Sequence, residues 1–114
     1  MALFAMAIPI LPGKEEEWKK NASQLMTTWS AQFKASRKNL GVRERTFLQH
    51  TPHGDVVIVT LEGENPGAAF GGMFMVEDEF TNWMKGWVES VHGFKMDPSQ
   101  PPPPMPELII DSGA

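Results

Sequence analysis

The chain opens on a run that is apolar at both parities. Leu3, Ala5 and Ala7 fall on one side of an extended Ala2–Ile10 segment, and Phe4, Met6 and Ile8 on the other. That pattern predicts a strand covered on both faces. Pro9, Pro12 and Gly13 end it. From Lys14 to about Lys38 the period changes to that of a helix. Trp18, Ala22, Leu25, Met26, Trp29 and Phe33 make one apolar stripe. Glu15, Glu16 and Glu17 suit the start of this helix dipole, and Arg37 and Lys38 suit its end. Asn39 or Gly41 supplies the left-handed residue that stops it.

Val42–Thr51 and Asp55–Glu62 predict two strands joined through Pro52-His53-Gly54. A three-residue hairpin loop sets Thr51 opposite Asp55, Gln49 opposite Val57 and Phe47 opposite Val59. One face then carries Arg45, Phe47, Gln49, Val57, Val59 and Leu61. The other carries Glu44, Thr46, Leu48, His50, Val56, Ile58, Thr60 and Glu62. Asn65-Pro66 is a helix start, with Asn as cap and Pro at the first turn, for a short helix weakened by Gly71-Gly72. Asp78 caps a last helix, whose stripe is Phe80, Trp83, Met84, Trp87, Val88 and Val91 and whose end is Gly93. Residues 97–106 form a proline-rich spacer, and 107–111, with Leu108-Ile109-Ile110, a final short strand.

The order strand, helix, strand, strand, helix, strand is that of a ferredoxin-like α+β domain (βαββαβ), with helices on one face of a four-stranded antiparallel sheet. The whole chain, 1–114, is expected to be one such domain. The sheet's second face is too apolar to stay wet, so a homodimer through that face is expected. Pairing of the tail strand at a sheet edge belongs to the same expectation.

The order of elements and the doubly apolar sheet resemble the dimeric α/β-barrel superfamily. More narrowly, several segments resemble a small bacterial family of that fold whose members carry no assigned function. They are Pro12-Gly13-Lys14 ahead of a Trp-bearing helix, Ser36 to Val42, Arg45, Thr46-Phe47-Leu48-Gln49 and Gly54 to Val59. The superfamily includes cofactor-free monooxygenases, haem proteins, isomerases and ligand-binding modules, so the resemblance implies a fold and no single reaction.

Composition narrows the chemistry further. A net charge of −4, with no basic cluster beyond Arg37, Lys38, Arg43 and Arg45, argues against nucleic acid. Without cysteine there is no disulfide, thiolate nucleophile or cysteine zinc site. The apolar opening lacks a preceding positive segment and a cleavage site, and is too short to span a bilayer; no membrane is expected and the cytoplasm is the default. No two histidines have ligand spacing, so neither a metal nor a cofactor is expected.

Glu44 and His50 are the candidate catalytic pair, a carboxylate and an imidazole on one predicted face of an apolar barrel. Six positions along one strand set them roughly 20 Å apart, so they cannot touch within one chain. The competing reading leaves them at strand ends, exposed or paired with Arg43 or Arg45. Thr46, Leu48, Ile58, Thr60 and Trp83 are the candidate ligand contacts. His92 before Gly93 reads as a cation at a helix C-terminus. Four tryptophans and eight methionines fit a packed core or the wall of a ligand cavity. The leading expectation is a dimeric domain that binds a small hydrophobic or aromatic molecule in an internal cavity. The alternatives are a cofactor-independent monooxygenase or isomerase, with Glu44 or His50 as base and Thr46 or Thr60 placing substrate, and a structural or regulatory dimer without ligand.

Overall fold

The computed structural model describes residues 2–93 and 106–113. In chain order the elements are β1 (Ala2–Pro9), α1 (Glu15–Met26), α2 (Ser30–Asn39), β2 (Val42–Thr51), β3 (Gly54–Gly63), α3 (Pro66–Gly72) and α4 (Glu79–His92). The three strands form one antiparallel sheet in the order β1-β3-β2, with β3 in the middle.

Pairing sorts the side chains by face, because residues opposite one another in the ladder point the same way. Phe4 opposes Leu61, Met6 opposes Val59 and Ile8 opposes Val57. Glu44, Thr46 and Leu48 of β2 share that face. The helices cover it: Phe4, Met6 and Leu61 bury against Phe70, Met73, Phe74, Phe80 and Met84. A second cluster gathers Ile10, Trp18, Val57 and Val91. The other face carries Leu3, Ala5, Ala7, Val56, Ile58, Thr60, Arg45 and Phe47, and among the described residues no helix lies over it.

The helix ends follow local chemistry. Asn65 Oδ1 accepts from the Ala68 amide at the start of α3, and Asp78 Oδ1 accepts from the Thr81 amide at 2.7 Å at the start of α4. Gly93 closes α4 in the left-handed region, φ +77°, its amide bonded to the Glu89 carbonyl. Nearby, the Leu11 amide donates to the Val91 carbonyl at 2.8 Å, so the exit of β1 is stitched to the end of α4. Ser90 donates to Glu17 across α1 and α4 and holds the Glu17 carboxyl below its usual value.

Four expectations are corrected. Among the described residues the sheet has three strands, so the expected four-stranded ferredoxin-like sheet, the unit of the expected barrel, is not what the chain shows. The segment expected as the last strand has no regular secondary structure and joins neither outer strand, and Ile109 and Ile110 stand 75% and 85% exposed. An apolar run makes a strand only when a neighbouring chain takes up its backbone groups, and none does here. The spacer expected ahead of it lies, except for Pro106, outside the described residues.

The expected single helix over Lys14–Lys38 is two helices. Thr27 leaves helical geometry, its hydroxyl bonds back to the Ser23 carbonyl, and the amides of Thr27 and Trp29 both turn to the Gln24 carbonyl. A hydroxyl bonded four residues back bends a helix, and two adjacent β-branched threonines crowd it. The hairpin, finally, pairs one residue away from the expected register. Thr51 opposes Gly54, Leu48 opposes Val57 and Thr46 opposes Val59. Gly54, at φ +123°, joins the ladder itself, which leaves a two-residue Pro52-His53 loop. The Thr51 hydroxyl accepts from the His53 amide and bonds the Gly54 carbonyl, tightening the turn. The slip sends Glu44, Thr46 and Leu48 to the helix side with Val57, Val59 and Leu61.

Candidate functional site

A cavity of about 500 Å³ lies between the sheet and the helices. Ile8, Val57 and Val59 form its floor, and side chains from all four helices form the rest, among them Trp18, Leu25, Phe33, Phe70, Met84 and Trp87. The two core clusters share Val59 at their margins, and residues of both line the cavity, so it occupies the seam between them. Thr46, with Arg45 and Phe47 of the same outer strand, lines its β2 side.

One polar group interrupts this apolar wall. Arg37, in the last turn of α2, and Glu44, early in β2, meet across the Leu40-Gly41 turn. Gly41 makes that turn possible at φ +72°. Arg37 Nε donates to Glu44 Oε1 at 2.7 Å, with the two side chains only 7% and 10% exposed. Glu44 Oε2 accepts from the Thr46 hydroxyl at 3.1 Å. Arg37 Nη1 donates to Ser36 Oγ at 2.9 Å, and Nη2 points to the Met84 sulfur at 3.3 Å. The guanidinium also lies over the Phe33 ring, 5.0 Å from its centre. Burying two charges is costly unless they pair and their remaining groups find partners. Here they do, save that one partner is a thioether, a weak acceptor.

The sequence candidates divide. Glu44 and Thr46 line the cavity and belong to the Arg37 network. His50 lies at the far end of β2, its side chain 69% exposed and 2.7 Å from Asp55. The structure therefore brings Glu44 and Thr46 together and leaves His50 apart. Leu48 packs with the Trp18–Val57 cluster. Ile58 and Thr60 lie on the open face of the sheet, Thr60 bonding the Arg45 carbonyl. Trp83 does not reach the cavity; it stacks between Trp29 and Trp87, 5.5 Å from each. In the sequence Arg37 reads as a helix-end cation and part of a short basic run, a reading that does not tie it to Glu44. The available signal was an arginine followed, across a glycine turn, by a glutamate on the next strand's inner parity.

The tryptophans form a continuous contact path. Trp18, Trp87, Trp83 and Trp29 follow one another with ring centres 5.5–5.9 Å apart, and Phe80 and Phe33 continue the path to Arg37. Trp18 and Trp87 are the two of the four that line the cavity. The Trp87 indole nitrogen is buried, and among the described residues it has no hydrogen-bond partner.

His92 borders the cavity and bonds the Pro9 carbonyl through Nδ1 at 2.8 Å. A carbonyl only accepts, so Nδ1 carries a proton. Burial holds this imidazole below the ordinary histidine range, against the opposing pull of the Pro9 carbonyl. It is thus biased toward the neutral form, the reverse of the cation expected at a helix end. A base whose folded pKa is depressed stabilises the fold fully above its unfolded value, and that contribution declines as pH falls through it. The melting temperature is expected to drop as pH falls below the unperturbed histidine value of about 6.5 and on through the lower folded value. The drop should be smaller in His92→Gln; equal slopes for the two proteins would count against it.

Among the described residues, no three histidine, cysteine or carboxylate side chains gather as a metal site, and no helix is long and apolar enough to cross a membrane. Comparison of the chain with protein family models, with curated proteins and with solved structures finds no match.

Proposed function

We propose that the protein binds a small hydrophobic or aromatic molecule in the cavity between its helices and its sheet. The carrying observation is the cavity itself, about 500 Å³ with an almost wholly apolar lining. A space of this size falls within the range of ligand pockets, which are apolar with a few placed polar groups. Two tryptophan faces and the flexible side chains of Met26, Met73 and Met84 suit a flat ligand of variable outline.

Titration with 2-isopropylnaphthalene tests this reading by thermal melting. At ten times its dissociation constant, a ligand bound only by the folded state adds about 1.4 kcal/mol. For a chain of this length that raises the melting temperature by roughly 5 °C. Filling the cavity from α1 with Ala22→Phe should abolish the shift without unfolding the protein. An unchanged melting temperature at saturating naphthalene, in the unaltered protein, would remove the reading.

A second reading concerns the open face of the sheet, where Leu3 and Phe47 are 55% and 56% exposed beside half-buried Val56 and Ile58. We infer that a second copy of the chain covers it. The face carries both signs of charge, with Arg45 3.8 Å from Glu62, so it can meet its own copy without like charges being forced together. Sedimentation at micromolar concentration should show a dimer for the intact chain and a monomer for Phe47→Glu. A clean monomer for the unaltered chain refutes this.

A further inference from the structure

The cavity's polar wall has a definite chemistry, and the inference drawn from it rests on the ligand-binding reading above. A guanidinium carries five N–H groups. Among the described residues, those of Arg37 meet three partners: the Glu44 carboxylate, the Ser36 hydroxyl and the Met84 thioether. The thioether, 3.3 Å from Nη2, is much the weakest acceptor of the three. Arg37 is more than nine-tenths buried and lines the cavity, as Met84 does. A strong donor buried in an apolar space is therefore held on a placeholder acceptor.

We propose that this group reads a neutral hydrogen-bond acceptor, a ketone or amide carbonyl, on an otherwise flat apolar ligand. Arg37 Nη2 donates to that oxygen in place of the Met84 sulfur. Methionine has three rotatable bonds and yields its position readily. The acceptor is neutral for an electrostatic reason. Glu44 already neutralises Arg37 at 2.7 Å, so a ligand carboxylate would add an unpaired negative charge beside Glu44 in a low-dielectric wall. A neutral carbonyl takes the donor without that cost. The pairing also sets orientation: the ring system lies over the Val57–Val59 floor while its oxygen points to the α2–β2 corner.

Three probes of one outline separate the possibilities: 2-acetylnaphthalene, 2-isopropylnaphthalene and 2-naphthoate. The hydrocarbon reports the cavity alone, and the ratio of ketone to hydrocarbon affinity reports the Arg37 contact. A hydrogen bond to a charged group supports a change of about tenfold or more in that ratio. The ratio should fall by that amount in the double variant Arg37→Met/Glu44→Met, which removes both charges together. It should rise in Met84→Leu, a swap of nearly equal volume that removes the competing sulfur and leaves the ion pair intact. Naphthoate should bind the unaltered protein more weakly than the ketone. If the hydrocarbon binds and neither variant moves the ratio, the carbonyl assignment is wrong while the cavity reading stands. Naphthoate binding more tightly than the ketone also overturns the assignment. If no probe binds, both fall. Should the double variant fail to fold, Met84→Leu alone decides.

Discussion

Replacing Arg37 by methionine alone is expected to destabilise the protein by about 3 kcal/mol, and Glu44→Met alone by a similar amount. The pair is buried, and either change strands one charge in an apolar wall, where the uncompensated group costs about 3–5 kcal/mol. Arg37 also loses its packing over Phe33, and Glu44 its bond from Thr46. The double replacement Arg37→Met/Glu44→Met should recover most of the loss, because buried pairs exchanged for apolar side chains of similar volume are often neutral or better. Denaturant unfolding of the four proteins, unaltered chain included, forms a double-mutant cycle. Additive losses would mean that the two charges do not depend on each other and that the corner is wetter than its burial implies.

The second large effect tests which face of β3 is which. Leu61 has no exposed surface, opposes Phe4 on one side and Glu44 on the other, and belongs to the main cluster. Leu61→Ala should cost about 3 kcal/mol, the scale of a core leucine deletion. Ile58, three positions back on the same strand, points to the open face and is only half-buried. Ile58→Ala should cost about 1 kcal/mol or less in the monomer. A larger loss at Ile58 than at Leu61 would reverse the assignment of the two faces of β3.

The hairpin register marks the limit of what pattern alone carries. Strong local signals located β1, α3 and α4 within a residue or two: two-sided apolarity before Pro9, Asn65-Pro66, and Asp78 with Gly93. Each rests on chemistry inside one short segment. The hairpin was also placed, but its register turned on whether Gly54 belongs to the loop or the ladder. The Thr51 hydroxyl decides that by closing the turn over two residues. Periodicity carried through Thr27 and Thr28 because the stripe resumes at Trp29 and Phe33, while the break is a backbone event with no apolar signature. The tail had apolar residues and no local evidence of a partner. Of the site, the carboxylate at Glu44 and the hydroxyl at Thr46 were legible as polar positions on an apolar strand. Their companion Arg37 was hidden, because a cation near a helix end already has an adequate electrostatic explanation.

The stitch between Leu11 and Val91 joins positions eighty residues apart, and β1 must also wait for β3 to find a pairing partner. Contacts that span so much chain are slow to form, since loop-closure entropy is lost before they give anything back. On a ribosome, β1 leaves the tunnel before β2 and β3, so of the three strands its apolar faces stay uncovered longest. The wall that Met84, Trp87 and Val88 supply to the cavity arrives only with the last helix. Until then the nascent chain exposes Phe4, Met6 and Ile8 together, the kind of segment that chaperones hold. The cavity is therefore among the last parts of the fold to exist, and a chain stopped before Glu79 would have a sheet without the cavity's α4 wall.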